Sequence, residues 1–374
     1  MELTEYHTLS QLPTPQGPLW VKPGAPGLDD PAYRVLAAAA EPRGTRVLDL
    51  NPGVGVALLP MLHAGLEVHA WEDRRSALRA LQASAAAHPR LDVHAALPWE
   101  VPEARFDTVL LVFGADRGNA WVRAQIRAAA YALRPGGVLW VAGERKLGFE
   151  RYLGWAREAV GPGEVVRRER GVRVAALARK ATPAPAPAAE PERIAAHLRG
   201  HELVFFAYPG VFASQALDPA SALLLEHLPG DVAGLQVLDL GAGYGALSLP
   251  LALEGARVTL LEHQLASVRS AQKSFEHAGV AAHIDHSDVD ESLQKGTRYD
   301  IVAANPPFHV GGRVVLDVAE AFVAAAHRHT RPGGRFYLVA NPFLKYEDWM
   351  HDRFGNVRTL HAGRYKVLLA VKQP

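Results

Sequence analysis

The chain of 374 residues repeats itself. Arg46-Val47-Leu48-Asp49-Leu50 returns as Gln236-Val237-Leu238-Asp239-Leu240, 190 positions later, and Glu72 returns as Glu262 at the same spacing. Leu28-Asp29-Asp30-Pro31 returns as Ala216-Leu217-Asp218-Pro219 after 188 positions, Phe106-Asp107 as Tyr299-Asp300 after 193, and Arg134-Pro135-Gly136-Gly137 as Arg331-Pro332-Gly333-Gly334 after 197. A spacing that drifts so little over a domain length marks a duplication, so whatever one half folds into, the other does too. Between the copies, Ala181-Thr182-Pro183-Ala184-Pro185-Ala186-Pro187-Ala188-Ala189-Glu190-Pro191 alternates proline, which favours extended polyproline II and supplies no core residues. The expected division is 1–180, a linker at 181–191, and 192–374.

Each copy alternates short apolar runs with helical stretches. In the second, strands are expected at Val237–Leu240, Val258–Leu261, Ile301–Ala304, Phe336–Ala340 and Val367–Val371. Helices are expected at 220–227, 247–253, 267–278 and 318–329. Such alternation builds an α/β fold with a parallel sheet covered on both faces. Ligands of these sheets bind outside the carboxyl ends of the strands, near the point where strand order reverses.

Two motifs fall at such ends. Gly241, Gly243 and Gly245 follow the strand ending in Asp239-Leu240, and Glu262 ends the next strand. Glycines let the backbone approach a ligand, and a carboxylate one strand over can accept both hydroxyls of a ribose. A dinucleotide site shares this glycine turn. Asp239 before the turn and the second motif favour S-adenosyl-L-methionine instead. Asp288, with Val289 beside it, follows an expected third strand and is placed to meet an adenine amine and ring.

The second motif is Asn305-Pro306-Pro307-Phe308. An exocyclic amine conjugated to a purine is a weak nucleophile because its lone pair is delocalised. Accepting both amine protons pulls the nitrogen toward tetrahedral geometry and aims the lone pair. The Asn305 side-chain oxygen and the Pro306 carbonyl are the two acceptors, and Phe308 stacks on the base. The pattern points to methyl transfer onto nitrogen.

With these stretches, Tyr208-Pro209-Gly210-Val211-Phe212-Ala213-Ser214, Asn341-Pro342-Phe343-Leu344-Lys345-Tyr346 and Gly363-Arg364-Tyr365-Lys366-Val367 complete a resemblance. The second half resembles class I S-adenosylmethionine-dependent methyltransferases, and more narrowly the RsmC family, which methylates the N2 amine of a guanine in 16S ribosomal RNA. The resemblance implies two tandem Rossmann-like domains, each a mostly parallel seven-stranded sheet whose last strand is inserted antiparallel. It implies that Phe212 and Ser214 close over the cofactor and that His263 borders it. It implies substrate contacts from Pro307, His309, Phe343, Tyr346, Arg364 and Lys366, and 16S ribosomal RNA or the 30S subunit as partner. Glutamine-N5 methylation of release factors, adenine-N6 methylation and non-catalytic RNA binding are the rival readings.

The first copy has lost the chemistry. Asn51 replaces Gly241, and Val112-Phe113-Gly114-Ala115 replaces Asn305 to Phe308. Residues 1–180 are therefore expected to keep the fold without catalysis. The net charge of +1 gives no global signal for nucleic acid, and no run is long enough to cross a membrane. The absence of cysteine excludes disulfides and thiol chemistry and suits a reducing cytoplasm. Among 17 histidines, the pairs His283/His286 and His327/His329 lack metal-ligand spacing, so no metal is expected, and a monomer is.

Overall fold

The computed structural model describes residues 2–307 and 316–374, so Phe308 and His309 lie outside the described residues. The chain divides into two compact units, Leu9–Glu190 and Met1–Thr8 with Pro191–Pro374. Residues 181–191 carry no helix or strand. One boundary departs from the expected 1–180: the first eight residues belong with the second unit. Helix Leu3–His7 is the reason, because Leu3 and Tyr6 lie on one side of it and are buried in that unit's core beside the helix Leu316–His329.

Each unit is built on a seven-stranded sheet. In the second the order is His283–His286, Arg257–Glu262, Gln236–Leu240, Tyr299–Ala304, Thr330–Ala340, Lys366–Val371, Arg358–Ala362. The first five strands run parallel, and the last in sequence inserts antiparallel beside Thr330–Ala340. The first unit repeats this order strand for strand, from Leu91–Ala95 at one edge to Gly163–Glu169 at the other. Alternation along one of its strands shows why helices cover both faces. Val109 and Leu111 enter a core with helices Gly118–Ala132 and Phe149–Ala159, whereas Leu110 and Val112 enter another with helix Pro31–Ala39. Ile301 to Ala304 are all buried, as expected of a central strand sandwiched on both sides.

Local chemistry sets the element ends. Asp218 caps helix Pro219–His227, accepting from the Ser221 amide at 3.0 Å, with proline at the first helical position. A cap of this kind contributes about 1 kcal/mol. Asp30 does the same for Pro31–Ala39.

A hairpin, Glu192–Leu198 with His201–Ala207, was not expected. Its two-residue turn, Arg199-Gly200, takes positive φ at both positions (50° and 81°), the geometry that matches strand twist. The Arg199 guanidinium meets the Glu254 carboxylate at 2.6–3.0 Å and supports that turn. The second strand of the hairpin is tied to helix Leu265–Ala278 by Ser274 and Ser270, which accept from the amides of Phe206 and Tyr208 at 3.0 Å. The hairpin thereby anchors the segment running into Phe212 and Ser214.

Candidate active site

In the second unit, the ends of strands Gln236–Leu240 and Tyr299–Ala304 lie side by side, and the chain leaves them in the glycine turn and at Asn305. The sheet order reverses between these strands. Gly243 adopts φ 58°, and a Cβ built on it meets nothing within 4 Å among the described residues. Gly245, at φ 89°, is held for another reason: a Cβ there would lie 2.9 Å from the Phe275 ring. Glu262 receives the Gly243 amide at 2.8 Å and the Gln264 amide at 3.0 Å, which fixes its carboxylate beside the turn. Asp239 is 1% exposed. Burial pushes its carboxyl up to about 7, opposed by the Ser248 hydroxyl, which donates to Oδ2 at 2.6 Å, and reinforced by Glu262. Its buried Oδ1 has no hydrogen-bond partner among the described residues.

The Asn305 amide group is locked. Its Nδ2 donates to Asp218 Oδ2 at 2.7 Å and to Ser221 Oγ at 3.0 Å. Both N–H bonds are thus engaged, and Oδ1 is the atom left to accept from a substrate. Asp218 and Ser221 belong to the helix cap, so the element that starts helix Pro219–His227 also orients the candidate catalytic side chain. Sequence reasoning noted Asp218 as part of the repeat and of the family resemblance, without a role at the site. The signal was its recurrence before proline with a serine three residues on. Pro306 is buried and Pro307 exposed.

Asp288 and Val289 are buried after strand His283–His286, and Val289 takes φ 56°. Asp288 Oδ1 accepts from the Tyr6 hydroxyl at 2.9 Å. Two residues on, Asp290 accepts from His7 at 2.7 Å and His329 at 2.9 Å. Burial opposes its charge, yet hydrogen bonds from His329 and then His7 hold its carboxyl below the ordinary range. Residues from the start of the chain thus brace the loop expected to meet adenine. Sequence reasoning missed them, since nothing local ties Tyr6 to a position 282 residues away. His263 contributes its carbonyl, which accepts from His286 Nε2 at 2.9 Å and joins two strand ends.

Phe212 and Phe343 are exposed (68% and 65%), Arg364 is exposed and Ser214 half-buried. Two expected RNA contacts are corrected. Tyr346 is fully buried at the start of helix Tyr346–Phe354, packed in the core with Met350 and Phe354. Lys366 is 6% exposed, and its ammonium binds the Glu347 carboxylate (2.7 Å to Oε1) and the Leu344 carbonyl. It serves the fold as an internal cross-link.

The first unit shows what the duplicate site became. Its carboxylate, Glu72, is clamped by Arg74 at 2.8 Å from both Nε and Nη2, and Arg74 stands where the second unit has Gln264. The glycine turn is covered: the Pro26 carbonyl accepts from the Val54 amide at 2.9 Å, and a Cβ on Gly53 would strike that carbonyl oxygen at 2.6 Å. Asn51, in place of Gly241, donates to the Val112 carbonyl at 2.7 Å and joins the two strand ends directly. Its Oδ1 accepts from Arg74 at 2.6 Å.

Among known proteins, the methyltransferase small domain family matches residues 26–176 and 202–369, once in each unit. The glycine turn, the acid ending the next strand and the inserted antiparallel strand define a class I methyltransferase, here in two copies. The structure of the T. thermophilus 16S rRNA N2 methyltransferase RsmC, solved with AdoMet and guanosine, is 49% identical, covers 100% of both chains and superposes with a TM-score of 0.95. Ribosomal RNA small subunit methyltransferase C of Hahella chejuensis is 29% identical over 92% of this chain and 99% of its own length. The protein of the same name from Chromohalobacter salexigens is 36% identical over 50% of this chain and 56% of its own length. Against several curated relatives, the match thus spans about half their length. The chain belongs to the RsmC family of small-subunit ribosomal RNA methyltransferases. No described helix is long and apolar enough to cross a membrane.

Proposed function

We propose that the second unit methylates the exocyclic N2 of a guanine in 16S ribosomal RNA with S-adenosyl-L-methionine, and that the first unit is non-catalytic. The observation that carries this reading is the locked Asn305 amide at the strand end beside the glycine turn. The residues fit the cofactor. Among the described residues nothing crowds the Gly243 backbone and nothing bonds the buried Asp239 Oδ1, and Glu262 is fixed to accept ribose hydroxyls. Asp288 and Val289 bound the adenine end, and Phe212 and Ser214 lie on the segment that covers it. Bound there, the cofactor supplies an electrophilic methyl group.

Asn305 Oδ1 accepts a hydrogen bond from one N–H of the guanine amine. With Nδ2 held by Asp218 and Ser221, the amide cannot flip and present a donor. The Pro306 carbonyl accepts a hydrogen bond from the other N–H, because the prolines leave no competing amide at positions 306 and 307. Such orientation supplies several kcal/mol, up to roughly 7–11 in good cases. No strong base is needed, since the methylated nitrogen is acidic and releases its proton to water. Phe343 and Arg364, exposed beyond the strand ends, suit contact with a base and a phosphate. The first unit contributes RNA contact or support. The working form is a monomer in the cytoplasm.

Transfer of labelled methyl groups to 30S subunits, free 16S RNA and a release factor tests the reading. Label in guanine N2 of the RNA is expected. Label only in release factor, or in adenine, or nowhere, would overturn it.

A further inference from the structure

The first unit carries a second constellation, built in the middle of its strands rather than at their ends. Strand Glu67–Glu72 lies against the edge strand Leu91–Ala95, with His69 opposite Asp92. Both strands carry the pattern acid-Val-His-Ala: Glu67-Val68-His69-Ala70 and Asp92-Val93-His94-Ala95. Side chains two apart on a strand share a face, so this pattern gathers two imidazoles and their acids together.

Three ligand-type atoms converge. His69 Nδ1 lies 3.2 Å from His94 Nε2 and 3.4 Å from Asp92 Oδ2, and the last two are 3.0 Å apart. Zinc–nitrogen and zinc–oxygen bonds of about 2.0–2.1 Å in tetrahedral geometry space their ligand atoms about 3.3 Å apart. The triangle therefore already has the dimensions of a metal's coordination face.

Proton accounting points the same way. His69 Nε2 is 2.9 Å from Glu67 Oε1, an atom that can only accept, so Nε2 carries the proton and Nδ1 of the neutral ring carries a lone pair. That lone pair points to the same place as a carboxylate oxygen and His94 Nε2. One proton, on His94, would have to serve both acceptors. A cation satisfies all three. Glu67 is in turn gripped by Arg46 at 2.8 and 3.0 Å, giving the carboxylate–histidine support that orients metal-binding imidazoles. Aromatic rings wall the site: Phe106 meets His69 edge-on, and Trp71 lies 4.1 Å from the His94 ring. His69 is 6% exposed in its side chain, His94 32% and Asp92 59%, so the cluster is rigid behind and open in front.

We propose that His69, His94 and Asp92 bind a divalent transition metal, with zinc the best match, leaving a fourth position for water or another ligand. Two imidazoles and one carboxylate suit a borderline cation and are too few oxygens for magnesium or calcium. The ion pins an edge strand to its neighbour. In the second copy, Thr259 and Arg257 stand where His69 and Glu67 do, so the site belongs to the first unit alone.

The test uses the full chain, stripped with chelator and titrated with zinc by calorimetry, and with cobalt followed by its visible spectrum. One equivalent bound at micromolar or tighter concentration, with intense tetrahedral cobalt bands and no response to magnesium, is expected. His94→Ala and Asp92→Asn, both at accessible side chains, should each weaken binding by 100-fold or more, an order-of-magnitude expectation for loss of a direct ligand. Glu67→Gln should weaken it by roughly 10–100-fold through the orientation of His69. His283→Ala, at an exposed histidine of the other unit, should change nothing. A wild-type chain that binds no zinc, or variants at His94 and Asp92 that bind it as tightly, would overturn the proposal.

Discussion

Asp290→Asn removes one negative charge from a side chain that is 2% exposed and holds three partners. His7 comes from helix Leu3–His7 at 2.7 Å; His329, at 2.9 Å, and Arg328, at 3.4 Å, come from helix Leu316–His329. Breaking a buried ion pair by removing one partner costs about 3–5 kcal/mol. Arg328 is 38% exposed and can return to water, and asparagine keeps one acceptor, so the expected loss is near the lower end, about 3 kcal/mol. For a unit of this size each kcal/mol moves Tm by roughly 2–4 °C, giving a fall of about 6–12 °C. Hydrogen exchange read peptide by peptide locates the loss. Peptides over Leu3–His7 and Leu316–His329 should lose protection, while the Leu9–Glu190 sheet serves as internal control. The pH dependence carries the sign. The folded carboxyl lies below its ordinary value, so its stabilisation is fully present above the unfolded value of about 4 and is lost as pH falls toward the depressed folded value. The gap between wild type and variant should hold from neutral pH to about 5, then narrow by up to about 1.4 kcal/mol per unit below about 4. Equal protection in the two proteins, or a gap that does not change on acidification, would refute the reasoning.

Asn305→Ala should lower the turnover number by on the order of 10²–10³, as removal of a preorganised transition-state hydrogen-bonding group does, with cofactor affinity by calorimetry near wild type. Wild-type turnover in that variant removes the assigned role. Tyr346→Phe should leave methyl transfer intact and raise stability by about 1 kcal/mol, because the buried hydroxyl has no partner among the described residues. Impaired transfer in a folded Tyr346→Phe protein would restore a substrate role. Arg364→Ala should weaken RNA binding and reduce its salt slope by about 1, whereas Lys366→Ala should cost about 2 kcal/mol by orphaning Glu347 and the Leu344 carbonyl. Melting curves and salt-dependent RNA binding tell the two apart, and the reverse pattern contradicts the burial of Lys366.

Much of the architecture was readable from local pattern. Ile301 to Ala304 is apolar throughout because both faces of a central parallel strand are covered. The glycine turn and Asn305 stood out because the roles proposed for them demand particular backbone freedom and a particular amide. What escaped was decided by tertiary burial. Tyr346 and Lys366 look like surface groups in a terminal aromatic and basic stretch. Only the core formed by helix Tyr346–Phe354 takes one in, and only Glu347 neutralises the other. Arg74 is one arginine among many until the fold aims it at Glu72, and Tyr6 has no local reason to meet Asp288. The hairpin at Arg199-Gly200 was missed because arginine is a rare first residue for a turn that needs positive φ.

The return of Leu3 and Tyr6 to the second unit has a consequence for how the chain is made. The unit Leu9–Glu190 is contiguous and can complete its core while synthesis continues. The other unit cannot seat its first helix until residues 282 positions downstream have emerged. Until then Leu3 and Tyr6 are apolar side chains without a core. The loop that bears Asp288 takes its native bracing only after His329 has been made, so the proposed cofactor site acquires its shape late in synthesis.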